Sequence, residues 1–217
     1  MLLSVSTMPV GDDIENLKKY VKQIENFADF LHCDICDGEY NQTKCFSGQL
    51  ANEINKITTM PLDCHLMTKN AKEHAKVYIE SGANIVTAQI ESFACQDQIF
   101  EYIEFAKSKK ALVGLAIEPK TEIKRILPYL DKLDVVLVMS VKTGASGQIF
   151  DQSVLSKIEY LSTLKKHQNM NFLIEVDGGI NDQTARQVKD AGADIIVSGN
   201  YVYNSNNIEN TICLLKK

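Results

Sequence analysis

Short apolar runs and longer amphipathic runs alternate eight times along this chain, and that alternation limits the fold more than any other feature of it. The apolar runs lie near 2–6, 30–35, 61–67, 84–88, 111–117, 134–139, 171–176 and 194–198. Helical patterns fall near 12–27, 48–58, 70–81, 96–109, 121–130, 151–167, 182–190 and 206–215. In the first of these, Ile14, Leu17, Val21, Ile24 and Phe27 recur at spacings of three and four, which draws one apolar stripe on a helix. Residues 134–139 are apolar almost without a break, as expected of a parallel strand covered on both faces. Gly82 and Gly192 each follow a helical pattern and precede a strand, where a left-handed helix stop belongs.

Eight strand–helix pairs with no domain-sized remainder in 217 residues fit a closed barrel better than an open sheet. The expected fold class is α/β, a single (β/α)8 TIM barrel forming one catalytic domain over 1–217. The net charge of −5, without an Arg/Lys-rich stripe, argues weakly against nucleic acid, which requires a concentrated basic surface. No apolar run approaches the length of a membrane span. The first residues show no basic segment leading into a long apolar one, so a cytoplasmic location is expected. In such a reducing compartment the six cysteines read as free thiols. Cys33 and Cys36 spell C-x-x-C, but residues i and i+3 of a strand face opposite sides, so the pair reads as accidental.

A barrel carries its chemistry at the C-terminal ends of its strands. The second strand ends in His32 and Asp34 on one face, the third in Asp63, His65 and Met67, and the seventh in Glu175 and Asp177. An apolar interior does not hold such groups without partners. Two imidazoles and several carboxylates converging at one mouth suit Zn²⁺, Fe²⁺ or Mn²⁺. His74, mid-helix, and His167, near a helix C-terminus, read as structural. Asp37 with Gly38 reads as a turn. Glycine-containing loops follow the sixth strand (142–148), the seventh (177–181) and the eighth (198–200), where barrels often bind phosphate through backbone N–H groups.

The sets His32-x-Asp34-x-x-Asp37-Gly38, Asp63-x-His65-Leu66-Met67, Val138-Met139-Ser140-Val141-x-x-Gly144-x-x-Gly147-Gln148-x-Phe150, Val176-Asp177-Gly178-Gly179-Ile180 and Ser198-Gly199 resemble, in content and order, those of ribulose-phosphate 3-epimerases. The resemblance spans essentially the whole chain. It implies a (β/α)8 enzyme interconverting D-ribulose 5-phosphate and D-xylulose 5-phosphate through a metal-stabilised cis-enediolate. It also implies His32, Asp34, His65 and Asp177 as ligands of one divalent ion, Zn²⁺ first, with Fe²⁺, Mn²⁺ or Co²⁺ as alternatives. Asp34 and Asp177 are then the acid/base pair. Substrate contacts are implied for Ser6, His65, Met67, Met139 and Asp177, and the phosphate is implied against Gly144, Ala145, Ser146, Gly147, Gly178, Gly179, Gly199 and Asn200. Elementary chemistry agrees, because epimerisation next to a carbonyl needs proton-transfer groups on both sides of one carbon. Strands two and seven stand three places apart around an eight-stranded barrel. A sugar phosphate is the expected partner, together with association into homo-oligomers.

The chain departs from the family pattern at Cys36, at residues 39–43, in the phosphate loop (Thr143 to Gln148), and at Gln89, where a histidine is common. These positions surround the substrate, which leaves a 3-epimerase of a hexulose 6-phosphate such as allulose 6-phosphate as the alternative. The related decarboxylases and hexulose-phosphate synthases use Asp-x-Lys-x-x-Asp, and Cys36 stands where that lysine would be. A non-catalytic sugar-phosphate binding barrel would be expected to lack metal or acid/base residues, and all of them are present.

Overall fold

The computed structural model describes residues 1–145 and 147–217. Eight parallel strands close into a barrel: β1 (Leu2–Ser6), β2 (Phe30–Asp37), β4 (Leu62–Met67), β5 (Ala83–Gln89), β6 (Leu112–Ile117), β7 (Val135–Met139), β8 (Leu173–Asp177) and β9 (Ile195–Ser198). Closure is explicit in the pairings, since β1 runs parallel to both β2 and β9. A two-residue strand, β3 (Lys44–Cys45), pairs antiparallel with the end of β2. The helices are α1 (Ile14–Ile24), α2 (Gly48–Asn55), α3 (Ala71–Glu80), α4 (Gln96–Ser108), α5 (Leu155–Gln168), α6 (Asp182–Ala191), α7 (Asn200–Tyr203) and α8 (Ile208–Lys216). Among the described residues no helix is long and apolar enough to cross a membrane.

The local causes are visible in the chain. The Asp13 side chain caps α1 by accepting from Asn16 N–H, and the apolar stripe buries Leu17, Tyr20, Val21 and Ile24. Removing one such side chain, as in Leu17→Ala, costs about 2–5 kcal/mol. All five residues of β7 are buried, the mark of a strand covered on both faces.

One device recurs at the N-terminal rim of the barrel. Asp29, Asn84, Asp134 and Asp194 each stand at or just before the start of a strand. Their side chains accept the backbone N–H of Leu3, Leu62, Val113 and Ile174 on the adjoining strands, at 2.8–2.9 Å. These bonds occupy donors at the strand starts and pin the register.

The expected helix at 121–130 is absent as an α-helix. Two 3-10 segments, Ile123–Arg125 and Leu127–Lys132, replace it. Pro128 is the reason: it lacks an N–H and its ring obstructs the preceding turn, so an α-helical ladder cannot run through it. Two short elements, β3 and α7, were not expected from the sequence, because runs of two and four residues carry no readable period.

Candidate active site

His32, Asp34, His65 and Asp177 meet at the C-terminal end of the barrel, delivered by β2, β4 and β8. One ligand atom from each lies within 4.8 Å of the others. His32 Nε2 is 3.5 Å from Asp34 Oδ1, and His65 Nδ1 is 3.4 Å from the same oxygen. Asp177 Oδ2 lies 3.9 Å from both nitrogens. Register accounts for the convergence, since Asp34 pairs with His65 across β2 and β4 and alternation turns His32 to the same side as Asp34.

The rest of the cluster lies deeper. His32 Nδ1–H donates to Asp63 Oδ2 at 2.7 Å, and Ser4 Oγ donates to the same oxygen at 2.7 Å. Glu175 stands 4.0 Å from His32 Nδ1, and both of its oxygens lack a hydrogen-bond partner. On the open side, Ser6 Oγ donates to Asp34 Oδ2 at 2.9 Å. The resulting polar column is enclosed by the apolar barrel, and His32, His65 and Glu175 have no exposed surface.

Burial and neighbouring charge move these groups in different directions. Burial opposes the charge of His32, yet the Asp63 and Asp34 carboxylates hold its imidazole well above the ordinary range. Burial opposes ionisation of Asp34, yet the imidazoles of His32 and His65 hold it well below the usual carboxylate range. Burial, then the charge of Asp34, push Asp177 up to about 6. Burial, then the charge of Asp63, push Glu175 well above its ordinary value. The two carboxyls of the cluster are thus displaced in opposite directions by their surroundings.

The donor set fits a divalent cation. His32 Nε2 and His65 Nδ1 are buried, make no hydrogen bond, and lie against the two carboxylates. A tetrahedral ion with ligands ~2.1 Å away spaces its donors ~3.4 Å apart, close to the two shorter separations here. Buried imidazole nitrogens and carboxylate oxygens that face one another without a hydrogen bond between them are stabilised by a cation.

Above the cluster opens a cleft of about 600 Å³, its mouth included. Ser6, Asp34 and Asp177 line its floor, and Met67 and Met139 line its walls. Gly144, Ala145, Gly147, Gly178, Gly179, Gly199 and Asn200 also line it, while His65 is fully buried and is not part of its lining. Ser146 lies outside the described residues. Gly179 shows why glycine is needed: at φ +59° a side chain there would press to 2.6 Å from the backbone nitrogen of Phe150. The exposed Lys142 also lines the cleft.

Other contacts were not expected. The loop after β7 is held by Gln148, whose Nε2 donates to the carbonyls of Lys142 and Ala145 at 2.7 and 2.8 Å. It is also held by Thr43 Oγ1, which donates to Gly144 O at 2.7 Å, so the altered 39–43 segment lies directly on the glycine loop. Met8, Thr143 and Tyr201 add to the lining. Gln148 was readable from its motif, whereas Thr43 and Met8 carry no sequence signal because they reach the site from the connections after β2 and β1, not from a barrel strand. Asp37 is the last residue of β2, and its side chain holds the turn that follows: Oδ1 accepts from Glu39 and Tyr40 N–H and Oδ2 from Lys69 N–H. His74 sits on α3 and His167 in the last turn of α5, away from the cluster. Cys33 lies beside Cys64, and Cys36 beside Cys45, all four as free thiols, so the C-x-x-C spacing brings no pair together.

Several known proteins are similar to this chain over nearly its whole length. The ribulose-phosphate 3-epimerase of Helicobacter pylori strain J99 is 31% identical over 203 residues, covering 94% of this chain and 92% of its own length. That of Bacillus subtilis is 32% identical over 203 residues, covering 93% and 89%. Among solved structures, a 3-hexulose-6-phosphate synthase superposes with a TM-score of 0.73, covering 100% of this chain and 98% of that one; at 16% identity it speaks for the fold alone. The model of the ribulose-phosphate 3 epimerase family matches residues 4–203, which include each of the four clustered side chains and all three glycine loops. With relatives this similar over nearly their full length, the chain belongs to the ribulose-phosphate 3-epimerase family.

Proposed function

We propose that this chain is a metal-dependent isomerase, a 3-epimerase interconverting D-ribulose 5-phosphate and D-xylulose 5-phosphate by two-base proton transfer. The observation that carries this reading is the pair Asp34 and Asp177, brought from β2 and β8 to one pair of buried imidazoles at the floor of the cleft.

Asp34, ionised and steadied by Ser6 Oγ, takes the C3 proton from one face of the sugar. Asp177 returns a proton to the other face, and the roles exchange in the reverse direction. Met67 and Met139 border the reacting carbon and keep water from the planar intermediate. Backbone N–H groups of the loops after β7, β8 and β9 take the phosphate, and Lys142 adds positive charge beside them. A divalent ion held by His32, Asp34, His65 and Asp177, Zn²⁺ first and Fe²⁺, Mn²⁺ or Co²⁺ as alternatives, supplies Lewis-acid stabilisation of the charge left on the substrate oxygens.

The test is solvent-deuterium exchange into ribulose 5-phosphate followed by NMR, in metal-loaded protein. Exchange at C3 with formation of xylulose 5-phosphate is the expected outcome. Exchange with allulose 6-phosphate but not with the pentulose would move the substrate to a hexulose. No exchange with either sugar would overturn the epimerase reading.

A further inference from the structure

The two clustered imidazoles are held from behind by different partners. His32 Nδ1–H is bound by the Asp63 carboxylate, which leaves Nε2 toward Asp34 and Asp177. His65 is reversed: its Nε2 meets the side-chain amide of Gln89 at 2.8 Å, which leaves Nδ1 toward the same two carboxylates. Gln89 ends β5 and, like His65, has no exposed surface, so no water competes for this bond.

The identity of the amide atom facing His65 decides what the imidazole can do. With the amide nitrogen facing it, His65 Nε2 has to accept, its hydrogen sits on Nδ1, and the Gln89 oxygen is left buried without a partner. Turning the amide by half a turn changes almost nothing in shape, because its oxygen and nitrogen are nearly equal in size. The oxygen then accepts from His65 Nε2–H, and the Nδ1 lone pair is free to face the carboxylates.

We propose that Gln89 is a positioning residue: its amide oxygen binds His65 Nε2–H and holds the imidazole in the tautomer whose Nδ1 can ligate a divalent cation. The inference rests on the metal reading of the site. It assigns the two histidines opposite tautomers, Nε2 ligating on His32 and Nδ1 on His65. It also makes them unequal ligands, since a carboxylate behind His32 raises ligand basicity more than a neutral amide behind His65. Metal loading and the orientation of the Gln89 amide are then coupled, because only one orientation leaves the lone pair available.

The test compares wild type, Gln89→Leu, Gln89→Met and Gln89→Glu by chelator competition for Zn²⁺ at pH 7, with melting of the metal-free proteins as the folding check. Nitrogen-15 NMR of the imidazoles reads the tautomers in the Zn²⁺-loaded state. The expected result is a 10–100-fold loss of Zn²⁺ affinity in Gln89→Leu and Gln89→Met, with affinity retained in Gln89→Glu, which keeps an acceptor at the same place. His65 should carry its hydrogen on Nε2. Wild-type affinity in the apolar variants, or a loss in Gln89→Glu equal to theirs, overturns the positioning role while leaving the metal site standing. A wild-type chain that binds no divalent ion sinks the metal reading itself, and this inference with it.

Discussion

Asp34 and Asp177 stand on strands three places apart around the barrel, yet they address the same two nitrogens. Oδ1 of Asp34 lies 3.5 Å from His32 Nε2 and 3.4 Å from His65 Nδ1, and Oδ2 of Asp177 lies 3.9 Å from each. In the proposed reaction this pair would serve both proton transfer and cation binding. Asp34→Asn and Asp177→Asn should each lower turnover on the order of 10²–10⁴-fold, because neither amide can exchange a proton with carbon. Deuterium wash-in at C3, read together with bound metal, is the measurement. Near-normal exchange in either variant would remove that carboxyl from the acid/base pair.

Metal removal should cost stability as well as activity. A ligand present at 100 times its dissociation constant stabilises the folded state by about 2.7 kcal/mol. At about 2–4 °C per kcal/mol for a chain of this size, chelation should lower Tm by about 5–10 °C. Scanning calorimetry with and without Zn²⁺ checks this, and an unchanged Tm would argue against occupancy of the cluster.

Gly179→Ala should damage the rim of the cleft. The residue has a left-handed backbone, and the added methyl would meet Phe150 N at 2.6 Å. Strain of this kind costs on the order of 1–3 kcal/mol. The expected signature is a lower Tm with a raised KM, and inorganic phosphate should compete less well than against wild type.

Asp37, at the end of β2, offers a pH test outside the cluster. Burial opposes its ionisation, but backbone N–H donors from Tyr40, Lys69 and Glu39 hold its carboxyl below the ordinary value. The folded value is therefore lower than the unfolded one. The stability it contributes is present above the unfolded value near 4 and is lost as pH falls through the folded value. Asp37→Asn should cost about 1–3 kcal/mol at pH 7 in urea unfolding, and the gap to wild type should narrow toward pH 3. A gap that is constant with pH would contradict the assignment.

The opposite rim should behave differently. Asp134 holds Val113 N–H at 2.9 Å at the N-terminal end of the barrel, away from the cleft. Asp134→Ala should cost about 1–3 kcal/mol of stability and leave kcat within twofold of wild type. A large fall in kcat with an unchanged Tm would reverse that division between the rims.

Much of the molecule could be read from the residues because its signals are local. The strands read as periods of apolar residues, and His32 with Asp34, or Glu175 with Asp177, read as polar pairs on alternating positions. The segment 121–130 misled because its apolar spacing is helical while Pro128 forbids the ladder, and the covalent constraint won over the pattern. The chain by itself determined eight repeated units and which side chains point into the barrel mouth, since both follow from short-range periodicity and from the motifs shared with the family. Only the tertiary structure decided that Gln89 sits behind His65, that Asp63 sits behind His32, and that Thr43 rests on Gly144. Those pairings join residues 24, 31 and 101 positions apart, and the closure of the barrel sets their distances, which no local pattern encodes.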